Sequence, residues 1–134
     1  LKKTNQANIF IAPGRGPSNT FRSYSATEAL YDWEGGSSGK EKRGRQLRLI
    51  QEPSKTHLLT EGIVKSDGEC ESRITWWGFA ADQGKSSPSE TTKVDFSYNN
   101  STHLLNADNS TITIKFGARQ GVSKANWLGK GYPN

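Results

Sequence analysis

Ser72-Arg73-Ile74-Thr75-Trp76-Trp77-Gly78-Phe79 is the densest apolar and aromatic run in an otherwise polar, glycine-rich chain. Its reading decides the fold. Taken as a strand, it follows Asp67-Gly68, a strong two-residue hairpin signal, and sends its two indoles to opposite faces. A type I′ turn there pairs residues whose numbers sum to 135, joining 57–66 to 69–80. One face then carries His57, Leu59, Glu61, Ile63, Ile74 and Trp76, and the other Leu58, Thr60, Glu71, Arg73, Thr75, Trp77 and Phe79. Leu59 lies opposite Trp76 and Leu58 opposite Trp77. A strand needs only one apolar face, so this register leaves one indole accessible to a partner.

Outward from this stretch the chain reads as short strands between turn signals. Strands are expected at 9–12, 20–24, 28–33, 46–51, 94–98 and 112–116, besides the two arms of the hairpin. The segment 28–33 also carries helix formers, Glu28, Ala29 and Leu30, with Thr27 placed to cap them. Residues 34–44 and 81–91 are loops by composition, and the tail from Gly117 is irregular. Thr56-His57-Leu58-Leu59 recurs as Thr102-His103-Leu104-Leu105, 46 residues later, and no third copy appears near Ile11. About eight short strands without a convincing helix imply an all-β fold. The expectation is an antiparallel sandwich or barrel with long Gly/Ser-rich loops, formed by 1–134 as one domain.

Composition narrows the class. Hydrophobic residues make up 31% of the chain, which is low, but four Trp, four Tyr and five Phe supply large buried areas to a small core. The net charge of +5 is unevenly spread: residues 111–134 carry four Lys/Arg and no acid, whereas 56–110 carry four against eight acids. A cationic patch of this kind suits phosphate, anionic lipid or acidic glycan. The single cysteine, Cys70, excludes an intramolecular disulfide. No run approaches the roughly 18 apolar residues of a membrane span. A chain that starts at Leu1 and contains no Met reads as a processed, secreted, extracellular form. The Asn-x-Ser/Thr sequons at Asn99, Asn100 and Asn109 agree with that reading.

Two constellations carry chemistry. Trp33, Trp76, Trp77, Trp127 and Tyr132 supply rings that stack on sugars or settle at lipid headgroups, the competing use of each being core. Trp127 and Tyr132 sit among glycines with Lys124 and Lys130, where burial is hard to arrange. Paired tryptophans followed by Asp82-Gln83-Gly84 are similar to a short stretch of the sea-anemone cytolysins and their fungal lectin relatives, over a handful of residues and without a defining motif. The expected function is non-catalytic binding of a cell-surface carbohydrate or lipid headgroup. Trp127, Tyr132 and one of Trp76 and Trp77 would stack, and Arg43, Arg45 and Lys130 would supply charge-assisted hydrogen bonds.

The second constellation is that of a small basic secreted ribonuclease-type toxin. His57 and His103 would serve as base and acid, Glu61 or Glu71 would assist, and Arg73 or a loop lysine would stabilise the phosphorane, making RNA the alternative partner. No metal or cofactor is implied, since one cysteine and two separated histidines give no zinc spacing.

Overall fold

The computed structural model describes residues 23–30, 48 and 50–128. Four strands form one antiparallel sheet in the order β1-β2-β3-β4: β1 is Tyr24–Ala26, β2 His57–Glu61, β3 Ser101–Asn106 and β4 Thr111–Lys115. Two helices, α1 (Trp76–Gln83) and α2 (Lys124–Leu128), accompany 3-10 turns at Glu28–Leu30, Pro53–Lys55 and Pro88–Glu90. The described part is mostly β. The strand expected at 9–12 lies outside the described residues, as do most of 20–24 and half of 46–51. Arg48, Ile50 and Gln51 are described and stand in no strand.

From Trp76 onward the decisive stretch is a helix, and before it Arg73 makes an isolated parallel bridge to Ala26, which corrects the hairpin reading. The turn at Asp67-Gly68 forms, with Gly68 at φ 86° and the Lys65 amide donating to the Glu69 carbonyl at 3.0 Å, but its arms do not continue as a ladder. Leu59 pairs instead with Leu105 and with Ala26, so neither predicted Leu–Trp pair exists. Two caps start α1. The Thr75 hydroxyl accepts the Gly78 amide at 3.1 Å, and the Glu28 carboxylate accepts the Trp76 amide at 2.8 Å. Trp76, Phe79, Ala80 and Gln83 then fall on one side at helical spacing and are buried or half-buried, while Trp77 and Ala81 face solvent.

Three other expectations change. Glu28–Leu30 is a 3-10 turn rather than the start of a strand, and the Thr27 hydroxyl accepts the Ala29 amide at 3.2 Å. Residues 94–98 make isolated bridges, Gly62 with Val94 and Tyr98 with Ser101, without forming a ladder. The second Thr-His-Leu-Leu copy is the unforeseen strand β3, and it is the direct neighbour of the first copy in β2. β4 conforms to its alternation, with Ile114 buried and Ile112 half-buried between exposed Thr111, Thr113 and Lys115. The sequon asparagines Asn99, Asn100 and Asn109 are exposed turn residues at φ 49°, 53° and 66°, a conformation asparagine tolerates better than most side chains.

The register assigns two faces to the sheet. Thr102, Leu104, Ile112 and Ile114 lie on one, which packs under α1 and α2. The core there joins Leu104 and Ile114 to Ile74, Trp76, Phe79, Val94, Phe96, Val122 and Trp127. The other face carries Tyr24, Leu59, Glu61, His103, Leu105, Thr113 and Lys115. At the end of β2, Gly62 is held close to its neighbours: a Cβ there would sit 2.4 Å from Ser25 Oγ and 2.7 Å from Cys70 Cβ.

Candidate functional site

The four tryptophans have separate fates. Trp33 lies outside the described residues. Trp127 is wholly buried: its indole stacks on Phe79 at 4.6 Å, and its Nε1–H donates to the Ile74 carbonyl at 2.9 Å. Both the ring faces and the polar edge of Trp127 are thus used by the core. Trp76 is buried against Phe79, with ring centroids 5.8 Å apart. Trp77 is 70% exposed on the first turn of α1. An indole left in water at that level forgoes most of the burial that makes tryptophan useful to a fold.

Two cations lie against the tryptophan rings of the same helix. The Lys124 ammonium sits 5.2 Å from the centroid of Trp77, and the Arg119 guanidinium lies 5.6 Å from that of Trp76. Lys115, Arg119 and Lys124 form no ion pair among the described residues. Lys55, Lys65 and Lys93, by contrast, are engaged with Glu52 and Glu71. Lys93 Nζ donates to both carboxylate oxygens of Glu71 at 2.9 Å and holds that carboxyl below its usual range. Arg43, Arg45, Lys130 and Tyr132 lie outside the described residues.

The nuclease set is divided. Between His57 and Leu59 the β2–β3 register shifts, so His57 pairs with Asn106 while Leu59 pairs with Leu105. One extra residue turns His57 onto the core face, opposite the face that carries His103. His57 is 2% exposed, its Nδ1 meets Asn106 Oδ1 at 2.6 Å, and its Nε2 is buried without a partner among the described residues. Burial pushes this imidazole below its usual 6.5, against the opposing effect of the Asn106 hydrogen bond. The two histidines therefore do not share one site.

Glu61 and His103 do come together. One Glu61 oxygen, Oε2, lies 3.1 Å from His103 Nδ1 and accepts the His103 main-chain N–H at the same distance. The carboxylate is buried, whereas the imidazole side chain is 42% exposed. Arg73 bridges to Ala26 on the far side of β1, three strand spacings, or about 14 Å, from β3. Thr113 and Lys115 occupy the open face beside His103 and were not among the expected site residues. Their alternation with Ile112 and Ile114 marks them as the polar side of a strand, but the strand paired with it cannot be read from that pattern.

Among the described residues, no group of three His, Cys, Asp or Glu side chains is placed to hold a metal ion. No described helix is long and apolar enough to cross a membrane. Comparison with protein-family models, with curated proteins and with solved structures finds no match.

Proposed function

We propose that the protein is a secreted binding protein that docks on a cell surface and recognises a lipid headgroup or a carbohydrate there, as lectins, toxins and effectors do. The exposure of Trp77 carries this reading. A solvent-facing indole with an ammonium against its ring combines an amphipathic stacking surface with a charge that attracts phosphate or carboxylate. Arg119 adds a second charge of the same sign in a segment without acids. Tyr132, Arg43, Arg45 and Lys130 belong to the proposed contact set on sequence grounds, as does the larger sandwich or barrel of about eight strands in which the four-stranded sheet would take part. Trp76 and Trp127 support the surface from beneath, through the core they build under α1.

The test is co-sedimentation with vesicles of phosphatidylcholine, with and without phosphatidylserine, alongside a glycan array. Binding to one of these surfaces is expected, with a blue shift of tryptophan emission. Trp77→Ala is expected to weaken it by about 2 kcal/mol, roughly 30-fold, the scale of an aromatic anchor. Absence of binding to every vesicle and every glycan would remove the proposal. Unchanged affinity in Trp77→Ala would move the contact elsewhere on the molecule.

A further inference from the structure

On the sheet face turned away from the helices, the geometry points to an acid–base site that cleaves RNA phosphodiesters, with His103 as the base, Glu61 as its positioning residue and Lys115 as the cation that holds the phosphate. This site is separate from Trp77 and does not rest on the docking proposal.

Three observations assemble it. First, Glu61 Oε2 accepts both the His103 main-chain N–H and, from the neutral ring, Nδ1–H. A buried carboxylate that accepts Nδ1–H holds the ring in the tautomer with its lone pair on Nε2. Among the described residues Nε2 has no hydrogen-bond partner, and the 42% exposure of the side chain opens the ring to solvent. Second, Thr113 stands directly opposite His103 on β4, and Lys115 stands opposite Ser101, one diagonal step away. Such diagonal neighbours are about 7–8 Å apart, within reach of a lysine side chain. Both residues are exposed, and Lys115 is in no ion pair among the described residues. Third, no Ser, Thr or Cys side chain among the described residues hydrogen-bonds the imidazole, so the site brings a base and a cation without an activated nucleophile of its own.

That inventory suits a substrate that carries its nucleophile with it. In RNA the 2′-hydroxyl lies next to the phosphorus, so a base and a cation are sufficient to begin the reaction. His103 Nε2 takes the 2′-hydroxyl proton as the O2′–P bond forms, and Lys115 and the Thr113 hydroxyl bind the non-bridging oxygens. The P–O5′ bond then breaks. The departing 5′-oxygen takes a proton from water, and the hydroxide so formed accepts the proton held on His103. The products are a 2′,3′-cyclic phosphate and a 5′-hydroxyl, with the imidazole restored.

The experiment incubates the full chain with a fluorophore–quencher oligoribonucleotide in EDTA. Cleavage with 2′,3′-cyclic phosphate ends is expected, and an oligonucleotide with a 2′-deoxy linkage at the cut position should stay intact. His103→Asn, which offers Glu61 a donor but no base, should lower kcat at least about 100-fold. Glu61→Gln should lower kcat with KM little changed, whereas Lys115→Ala should mainly raise KM. Intact RNA with the wild-type chain, a requirement for added metal, or full-rate cleavage by His103→Asn each overturns the proposal. If circular dichroism shows that His103→Asn has not folded, Lys115→Ala decides, because its side chain is exposed: an unchanged kcat/KM overturns the assignment.

Discussion

Thr56-His57-Leu58-Leu59 and Thr102-His103-Leu104-Leu105 are identical in sequence and lie on neighbouring antiparallel strands, yet their side chains meet different surroundings. His57 is buried on the core face against Asn106, while His103 is half-exposed on the opposite face with a carboxylate at its Nδ1. Leu104 lies wholly in the core, and Leu105 is half-buried on the other side against Leu59. The cause is a single irregularity. β3 keeps strict alternation throughout, whereas β2 inserts one residue between His57 and Leu59. Because side chains alternate with a period of two, one inserted residue exchanges the faces for everything on its far side. Residue identity alone therefore does not assign these histidines their chemistry; position relative to the bulge does.

The largest test of that contrast compares the two leucines of β3. Leu104→Ala opens a cavity beneath α1 and α2 and is expected to cost about 2–5 kcal/mol. Leu105→Ala removes a half-buried side chain from the other face, and about 1 kcal/mol is expected. Urea denaturation of the two variants measures the difference. Equal costs would mean that both faces are packed alike, and would close the surface on which the acid–base site depends.

A smaller effect separates the histidines by pH. The folded protein holds His57 neutral below its usual 6.5, chiefly through burial, so the unfolded chain binds the proton more readily. The stabilising contribution is complete above 6.5 and is lost as pH falls through that value toward the depressed folded one. Stability should therefore drop with acidification below about pH 6.5. His57→Gln, which can still donate to Asn106, should show a shallower fall over the same range. Parallel curves for wild type and His57→Gln would show that His57 carries no such linkage.

What was legible from sequence divides along local and distant causes. β4 was readable because the alternation of Thr111, Thr113 and Lys115 with Ile112 and Ile114 is complete within the strand. That Trp76 and Trp77 part company was also readable, since adjacent side chains diverge in a strand and in a helix alike. The helix itself was not, because one of its two caps is Glu28, 48 residues before Trp76. Trp127 sits among glycines, and only its stacking on Phe79 and its bond to the Ile74 carbonyl explain its burial. The Glu61–His103 pair joins residues 42 apart through a register that the bulge resets, and the Asp67-Gly68 turn predicted a different one. The repeated Thr-His-Leu-Leu was the unused clue. Both copies are strands, and they pair with each other.

The threonines of the two copies provide the finest test. Thr56 and Thr102 are both wholly buried, but the Thr56 hydroxyl donates to the Glu52 carbonyl at 3.0 Å while the Thr102 hydroxyl has no partner among the described residues. A buried hydroxyl without a hydrogen bond has lost its hydration and gained nothing in exchange. Valine has nearly the same shape and carries no polar atom. Thr102→Val is therefore expected to be neutral or to stabilise by up to about 1 kcal/mol, and Thr56→Val to destabilise by about 1 kcal/mol, since it strips a made bond from the Glu52 carbonyl. Opposite signs from the same substitution in the same tetrapeptide would show that the bulge, and what each strand packs against, sets the energetic role of these residues. A clear loss in Thr102→Val would mean that its hydroxyl is satisfied in solution, as by a buried water, and that the core face of β3 is wetter than its packing indicates.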